Sequence, residues 1–239
     1  MKCYFIRFLA LAICSCSQKP DAQKIIDKSI AFYGMDKLGQ KTISFDFREK
    51  HFLVKLNGGN YFYESTFTTD SLGKVVDQLS NKGFVRQING LVRPQLEKDS
   101  IKYSAAVNSV VYFALLPLKL NDAATQKKYL RTIKIKNKNY EQIEVSFGVQ
   151  NGGKDHDDVF YFWFDSQDYS MDYFAYSSGG NRFRAVSSIK EVKGLKLQNY
   201  INYKASENEK NKLLDYPSVY EQNNLIKFSE ISFENLKVE

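Results

Sequence analysis

Thr42-Ile43-Ser44-Phe45-Asp46-Phe47-Arg48 alternates apolar and polar side chains one for one, and Leu56-Asn57-Gly58-Gly59-Asn60-Tyr61 follows shortly after it. A period of two is the signature of a strand with one buried and one wet face. The Asn-Gly-Gly-Asn run supplies the positive φ that a tight hairpin turn needs. Together they predict antiparallel pairing between neighbours in sequence. The pattern recurs downstream at Lys74 to Leu79 and Phe84 to Asn89. It resumes at Leu130 to Ile135, Tyr140 to Phe147, Val159 to Phe164, Tyr169 to Tyr176, Arg182 to Lys190, Leu195 to Tyr203 and Leu225 to Phe233. Turn-forming runs separate most of these, among them Asp165-Ser166-Gln167-Asp168, Ser177 to Asn181 and Lys193-Gly194. The 18 Phe and 16 Tyr suit such a chain, because flat rings pack well on a pleated face.

Three stretches break the period. Asp21 can cap a helix running to Tyr33, with Ile25, Ile26 and Ile30 on one stripe and Gly34 as its stop. Ala105 to Leu116 is apolar along most of its length and ends at Pro117, which cannot continue a helix. Asn121-Asp122 is read as the cap of a further short helix through Lys128. The order of helix, strands, helical insertion and strands predicts an α+β, mainly β chain. Its antiparallel sheet should carry helices on one face, without βαβ units.

The first residues read as an address. Lys2 and Arg7 flank a short apolar stretch, Phe8 to Ile13, that is far below the ~20 residues of a spanning helix. Ile13-Cys14-Ser15-Cys16 resembles the bacterial lipobox, with an aliphatic residue at −3 and a small one at −1 from the acylated cysteine. The expected organisation is a signal peptide over residues 1–15, a lipidated Cys16 with a short tether over 16–20, and one domain over 21–239. Of the three cysteines, Cys3 and Cys14 would leave with the signal and Cys16 would carry lipid. The domain would then hold no thiol and no disulfide, so cysteine chemistry is not expected and stability must come from the core.

Loss of Lys2 and Arg7 brings the formal charge from +7 to +5. That field suits anionic lipid headgroups. The lysines are scattered, and the dense run Lys127 to Lys138 reads as a solvated strand face, so nucleic acid is not an expected partner.

Several stretches are similar to those of uncharacterised bacterial lipoproteins. They are Val107-Asn108-Ser109-Val110-Val111-Tyr112-Phe113 with Leu116-Pro117, Gly152-Gly153 through His156-Asp157-Asp158, Met171-Asp172-Tyr173 with Ala175-Tyr176, and Gly180-Asn181-Arg182-Phe183-Arg184. With the lipobox, N-terminal helix, meander and central helices, the chain resembles the LolA/LolB-like lipoprotein-carrier superfamily. The resemblance implies a strongly curved, incomplete antiparallel barrel with helices over its concave face. It also implies a cavity able to take an acyl chain, in a lipid-anchored envelope protein. Ser17 after the cysteine resembles lipoproteins sent to the outer membrane, which here would face the periplasm.

Candidate residues follow. Phe160, Phe162 and Phe164 fall on one face of a strand, and Tyr161 and Trp163 on the other, so both faces should be buried. With Val111 and Leu115 of the covering helix, Phe160, Phe162, Phe164 and Trp163 are the cavity candidates; a plain aromatic core is the competing reading. Arg182 and Arg184 share a strand face and are the anion-binding candidates, with cross-strand pairing to Asp172 or Glu191 as the alternative. Asp155, His156, Asp157 and Asp158 follow two glycines and are weak metal candidates, because neighbours on an extended chain diverge. His51 lies far from them in sequence. Gly-x-Ser-x-Gly, His-Glu-x-x-His and phosphate-loop motifs are missing, so no catalytic residue and no cofactor is assigned. The functional expectation is a noncatalytic envelope lipoprotein that binds lipid or another apolar ligand. The alternatives are a filled-core interaction protein serving an envelope partner, and a metal-dependent hydrolase around His156.

Overall fold

In the computed structural model, which describes residues 20–39, 41–148, 159–177, 179–205 and 212–239, the alternating stretch forms β1 (Thr42–Phe47), paired with β2 (Lys50–Asn57). The meander continues through β3 (Asn60–Thr69), β4 (Gly73–Ser80), β5 (Gly83–Ile88) and β6 (Leu91–Val92). The second half repeats the scheme with β7 (Thr125–Ile135), β8 (Lys138–Phe147), β9 (Val159–Asp165), β10 (Met171–Tyr176), β11 (Arg182–Val192), β12 (Leu195–Lys204) and β13 (Ile226–Ile231). β14 (Phe233–Val238) comes last and pairs with β1.

The result is two seven-stranded antiparallel sheets, β14-β1-β2-β3-β4-β5-β6 and β13-β12-β11-β10-β9-β8-β7. Only Ser232 separates β13 in the second sheet from β14 in the first, so one stretch of backbone joins the two edges. The side-chain carbonyl of Asn199 in β12 accepts the Phe233 amide at 2.8 Å and pins this corner. β13 and β14 meet at this corner as the edges of two separate sheets, and β6 and β7 form the opposite edges. This is the mainly β, antiparallel architecture that the sequence predicts, in the curved, unclosed form that the resemblance implies. The free edge at β7 carries exposed Lys128, Arg131 and Lys134, a composition that discourages pairing with another chain.

α1 (Ala22–Phe32) is capped by Asp21, whose carboxylate accepts the Gln23 amide at 3.0 Å, and it buries Ile25, Ile26 and Ile30. Its end is fixed by Gly34 at φ +66°, where an added Cβ would sit 2.0 Å from the carbonyl of Gly194 in the β11–β12 turn. Only glycine allows that approach. Below the turn, the Tyr33 hydroxyl accepts the Met171 amide at 3.1 Å and a bond from the Gln198 side chain. Gln198 also donates to the Met171 carbonyl at 2.8 Å and accepts from Tyr200 at 2.8 Å. This closed polar network seats α1 on the inner face of the second sheet.

α2 (Glu97–Ala114) begins earlier than the apolar stretch from Ala105 predicts, because its first turns are polar and exposed. The short helix expected from Asn121 to Lys128 does not form. A 3₁₀ turn, Leu118–Asn121, precedes β7, and Thr125 Oγ1 bonds the carbonyls of Leu120 and Asp122, turning the chain into β pairing with Phe147. Cross-strand partners outweighed the local cap signal. The expected strand at Leu225 to Phe233 is divided between β13 and β14 by the corner at Ser232. α3 (Tyr216–Glu221) had no clear periodic signal in the sequence.

One hydrophobic cluster joins α1, α2 and the inner faces of both sheets. A second lies on the outer face of the second sheet, where Trp163, Tyr173 and Phe183 are covered by Tyr216 and Tyr220 of α3. No helix of the described residues is long and apolar enough to cross a membrane.

Candidate functional site

The inward positions of the first sheet change character from strand to strand. Register aligns Phe45, Phe52, Ser65, Asp77 and Arg86 in one row across β1 to β5. The row is apolar on β1 and β2 and polar on β3 to β5. α2 roofs it, packing on β3, β4 and β5. Between roof and row lies a groove of about 810 Å³, lined by Phe47, Phe52, Phe67, Asp77, Arg86 and Lys50 from the sheet and by Lys102, Tyr103, Val107 and Val110 from α2. Its volume falls within the ~300–1,000 Å³ typical of small-molecule sites.

The polar floor is built firmly. Arg86 holds Asp77 bidentately, Nε to Oδ1 at 2.6 Å and Nη2 to Oδ2 at 2.7 Å, with side chains only 8% and 4% exposed. The Arg86 guanidinium also lies 3.3 Å from the centre of the Tyr103 ring, tying α2 to the sheet. The hydrogen bond to the Asp77 carboxylate raises the Arg86 pKa further, so the guanidinium stays charged. Lys50 points inward because Phe52 and Val54, on the same face of β2, are buried. Its ammonium sits 4.0 Å above the centre of the Phe67 ring. Burial pulls the Lys50 pKa down, Asp77 opposes that shift and Arg86 adds to it.

A second cavity of about 680 Å³ lies by the β2–β3 hairpin, lined by Met35, Leu38, Leu56, Tyr61, Tyr63 and Lys119 among others. It lacks a buried charge pair of the Asp77–Arg86 kind; Lys119 reaches Asp122, which is half exposed, at 3.1 Å.

The residues singled out from sequence sit elsewhere. Phe160, Phe162, Phe164, Val111 and Leu115 are packed in the main core at 5% exposure or less, and line neither cavity. Phe162 stacks on Phe174 at 5.6 Å, and Phe113 of α2 fills the space above Phe174 at 5.9 Å. Trp163 belongs to the outer cluster, since the strand period turns it away from its neighbours. The expected cavity against β9 is therefore filled by the protein's own rings, and open volume appears under α2 instead.

Arg184 is 8% exposed and stacks 4.1 Å from the centre of Phe113; its Nη2 donates to the Tyr176 hydroxyl at 2.8 Å, while its Nε has no partner. Burial lowers its pKa. Arg182 lies 4.4 Å over Phe228 and donates to the Asn181 carbonyl. Among the described residues neither arginine pairs with Asp172 or Glu191. Asp172 accepts from Tyr140 and Ser170, and Lys138 lies 3.8 Å away. His51 is on the outer face of the first sheet, 2.6 Å from Asp46. Cys16, Asp155, His156, Asp157 and Asp158 lie outside the described residues.

Sequence reasoning missed the groove. The available signal was Lys50 and Arg86 at inward positions of otherwise apolar strands, which the alternation alone could have exposed.

Comparison with curated proteins finds no match. Among solved structures, the chain is similar to a LolA superfamily protein from Nitrosomonas europaea, at 11% identity over 91% of each chain with a TM-score of 0.47. It is also similar to a DUF1329 family protein from Desulfovibrio piger, at 11% identity over 90% of this chain and 92% of that one, with a TM-score of 0.49. At such identity the likeness concerns fold alone. Residues 2–233 match the model of a family of unknown function, DUF6503, and the chain belongs to that family.

Proposed function

We propose that this protein is a noncatalytic envelope lipoprotein, tethered through Cys16, that binds a lipid or another apolar ligand in its concave sheet. The observation that carries the reading is the groove between α2 and the first sheet. It is long-walled by Phe47, Phe52, Phe67, Val107 and Val110, and none of its own side chains fills it. The apolar part of such a groove is surface left to water, which a bound apolar ligand would cover. The same open space speaks against the filled-core interaction reading, which the second sheet alone would favour.

The test is native mass spectrometry of protein produced without residues 1–16 and purified without detergent. Adducts of lipid mass are expected, and Ala106→Trp, placed in the groove lining, should remove them while circular dichroism stays unchanged. Protein that stays empty at every lipid concentration would overturn the binding reading. The tether is tested separately: Cys16→Ser should abolish incorporation of radiolabelled fatty acid into the full-length chain, and a wild-type chain that takes up no label would refute it.

A further inference from the structure

The groove's charges do not cancel. Asp77 is committed to Arg86 by two short bonds, which neutralises that pair. Lys50 and Lys102 also line the groove, and among the described residues neither is bonded to a carboxylate. Lys50 is the more telling of the two. It occupies an inward position of β2 in series with buried Phe52 and Val54, where an aliphatic side chain would cost no desolvation. Instead its ammonium rests on the Phe67 ring, a contact that only partly replaces lost hydration. Glu49, the remaining acid of the lining, is exposed on the β1–β2 turn.

Chemistry along α2 is graded in the same sense. Lys102 and Tyr103 lie on its exposed N-terminal half, and Val107 and Val110 follow one and two turns on, toward the core. The groove thus combines an apolar run with two ammonium groups that bond no carboxylate among the described residues. Resting on the binding reading above, we propose that its ligand is a single-chain anionic amphiphile of the fatty-carboxylate class. The headgroup pairs with Lys50 and Lys102, and the chain lies along Phe52, Phe67, Val107 and Val110. A carboxylate seated there gives Lys50 the partner that water no longer supplies, while the chain covers the open aromatic wall.

The experiment measures binding of decanoate, decanol and acetate by calorimetry to the protein lacking residues 1–16. Decanoate should bind about tenfold tighter than decanol, the increment of one charge-assisted bond, and acetate should not bind measurably. Lys50→Gln should erase the preference for the acid over the alcohol, Lys50→Arg should keep it, and Lys102→Gln should reduce it several-fold. Unchanged melting temperatures show that the variants fold. Equal affinity for acid and alcohol in the wild type overturns the charge selection and leaves the apolar-ligand reading standing. Acetate binding as tightly as decanoate overturns it by showing an anion site without a chain. Failure of both long-chain probes falls on the binding reading itself, and the inference falls with it.

Discussion

The two sheets are built from the same kind of hairpin meander, yet their concave faces have opposite fates. The second sheet turns Phe160, Phe162, Phe164, Phe174 and Tyr176 inward, and α1 with Phe113 of α2 fills what is left. Its outer face is also covered, by α3. The first sheet also buries apolar side chains, Tyr63 and Val75 among them, but Ser65, Asp77 and Arg86 carry a polar row across its inner face, under a helix whose first turns are exposed. A tight aromatic face leaves no room for a guest. A face with ion-paired floor and apolar walls keeps its shape without collapsing, because Asp77 and Arg86 would lose their geometry if the roof came down on them.

The comparison is most severely tested at the packed face. Phe162→Ala should destabilise the protein by about 3–5 kcal/mol in urea unfolding, since rigid neighbours on every side cannot close the hole. Phe67→Ala, at the groove wall, should cost roughly half of that or less, because its ring is only partly removed from water. Equal costs would erase the distinction between the two faces. Asp77→Asn comes next, at about 3 kcal/mol, because it strands the buried Arg86 charge. Asp77→Leu with Arg86→Met should recover much of that loss in thermal melts. Recovery of stability with loss of lipid adducts would show that the ion pair serves the groove's shape more than the fold.

A smaller effect concerns how α1 is held. Tyr33→Phe removes the hydroxyl that accepts from Met171 and Gln198, leaving a buried amide unpaired, and should cost about 1–3 kcal/mol. Hydrogen exchange should rise at the Met171 amide and leave β3 to β5 unchanged. The smallest effect belongs to the outer face of the first sheet. The Asn235 side chain, and then His51, hold the Asp46 pKa below the ordinary 3.8. A depressed carboxylate stabilises the fold above its unfolded pKa, and that contribution is lost as pH falls through the folded value. Stability should therefore drop by at most about 1 kcal/mol below roughly pH 4, and by less in Asn235→Ala.

Much of the fold was legible before any coordinates. Ile43, Phe45 and Phe47 announced their strand because period two leaves a mark on every second residue, and the Asn57 to Asn60 turn fixed the pairing of β2 with β3. Asp21, the three isoleucines and Gly34 likewise delimited α1. The candidate site was hidden for the complementary reason. Phe160, Phe162 and Phe164 looked like a cavity wall because sequence shows which side chains face inward, never what stands opposite. Lys50 and Arg86 do not stand out in the sequence because a strand's wet and buried faces are distinguished by the majority of their residues, and these two are exceptions.

By itself the sequence determined the period of each segment, the antiparallel neighbours that short turns impose, and the inward face of β1, since all of these are local properties of a chain with fixed geometry. Only the tertiary structure decided that β13 bends into β14 to join two sheets, that α2 lies over β3 to β5, and that Phe113 fills one concavity while the other stays open. Those outcomes depend on volumes and charges that residues far apart in sequence contribute to one place, and no single segment carries that sum.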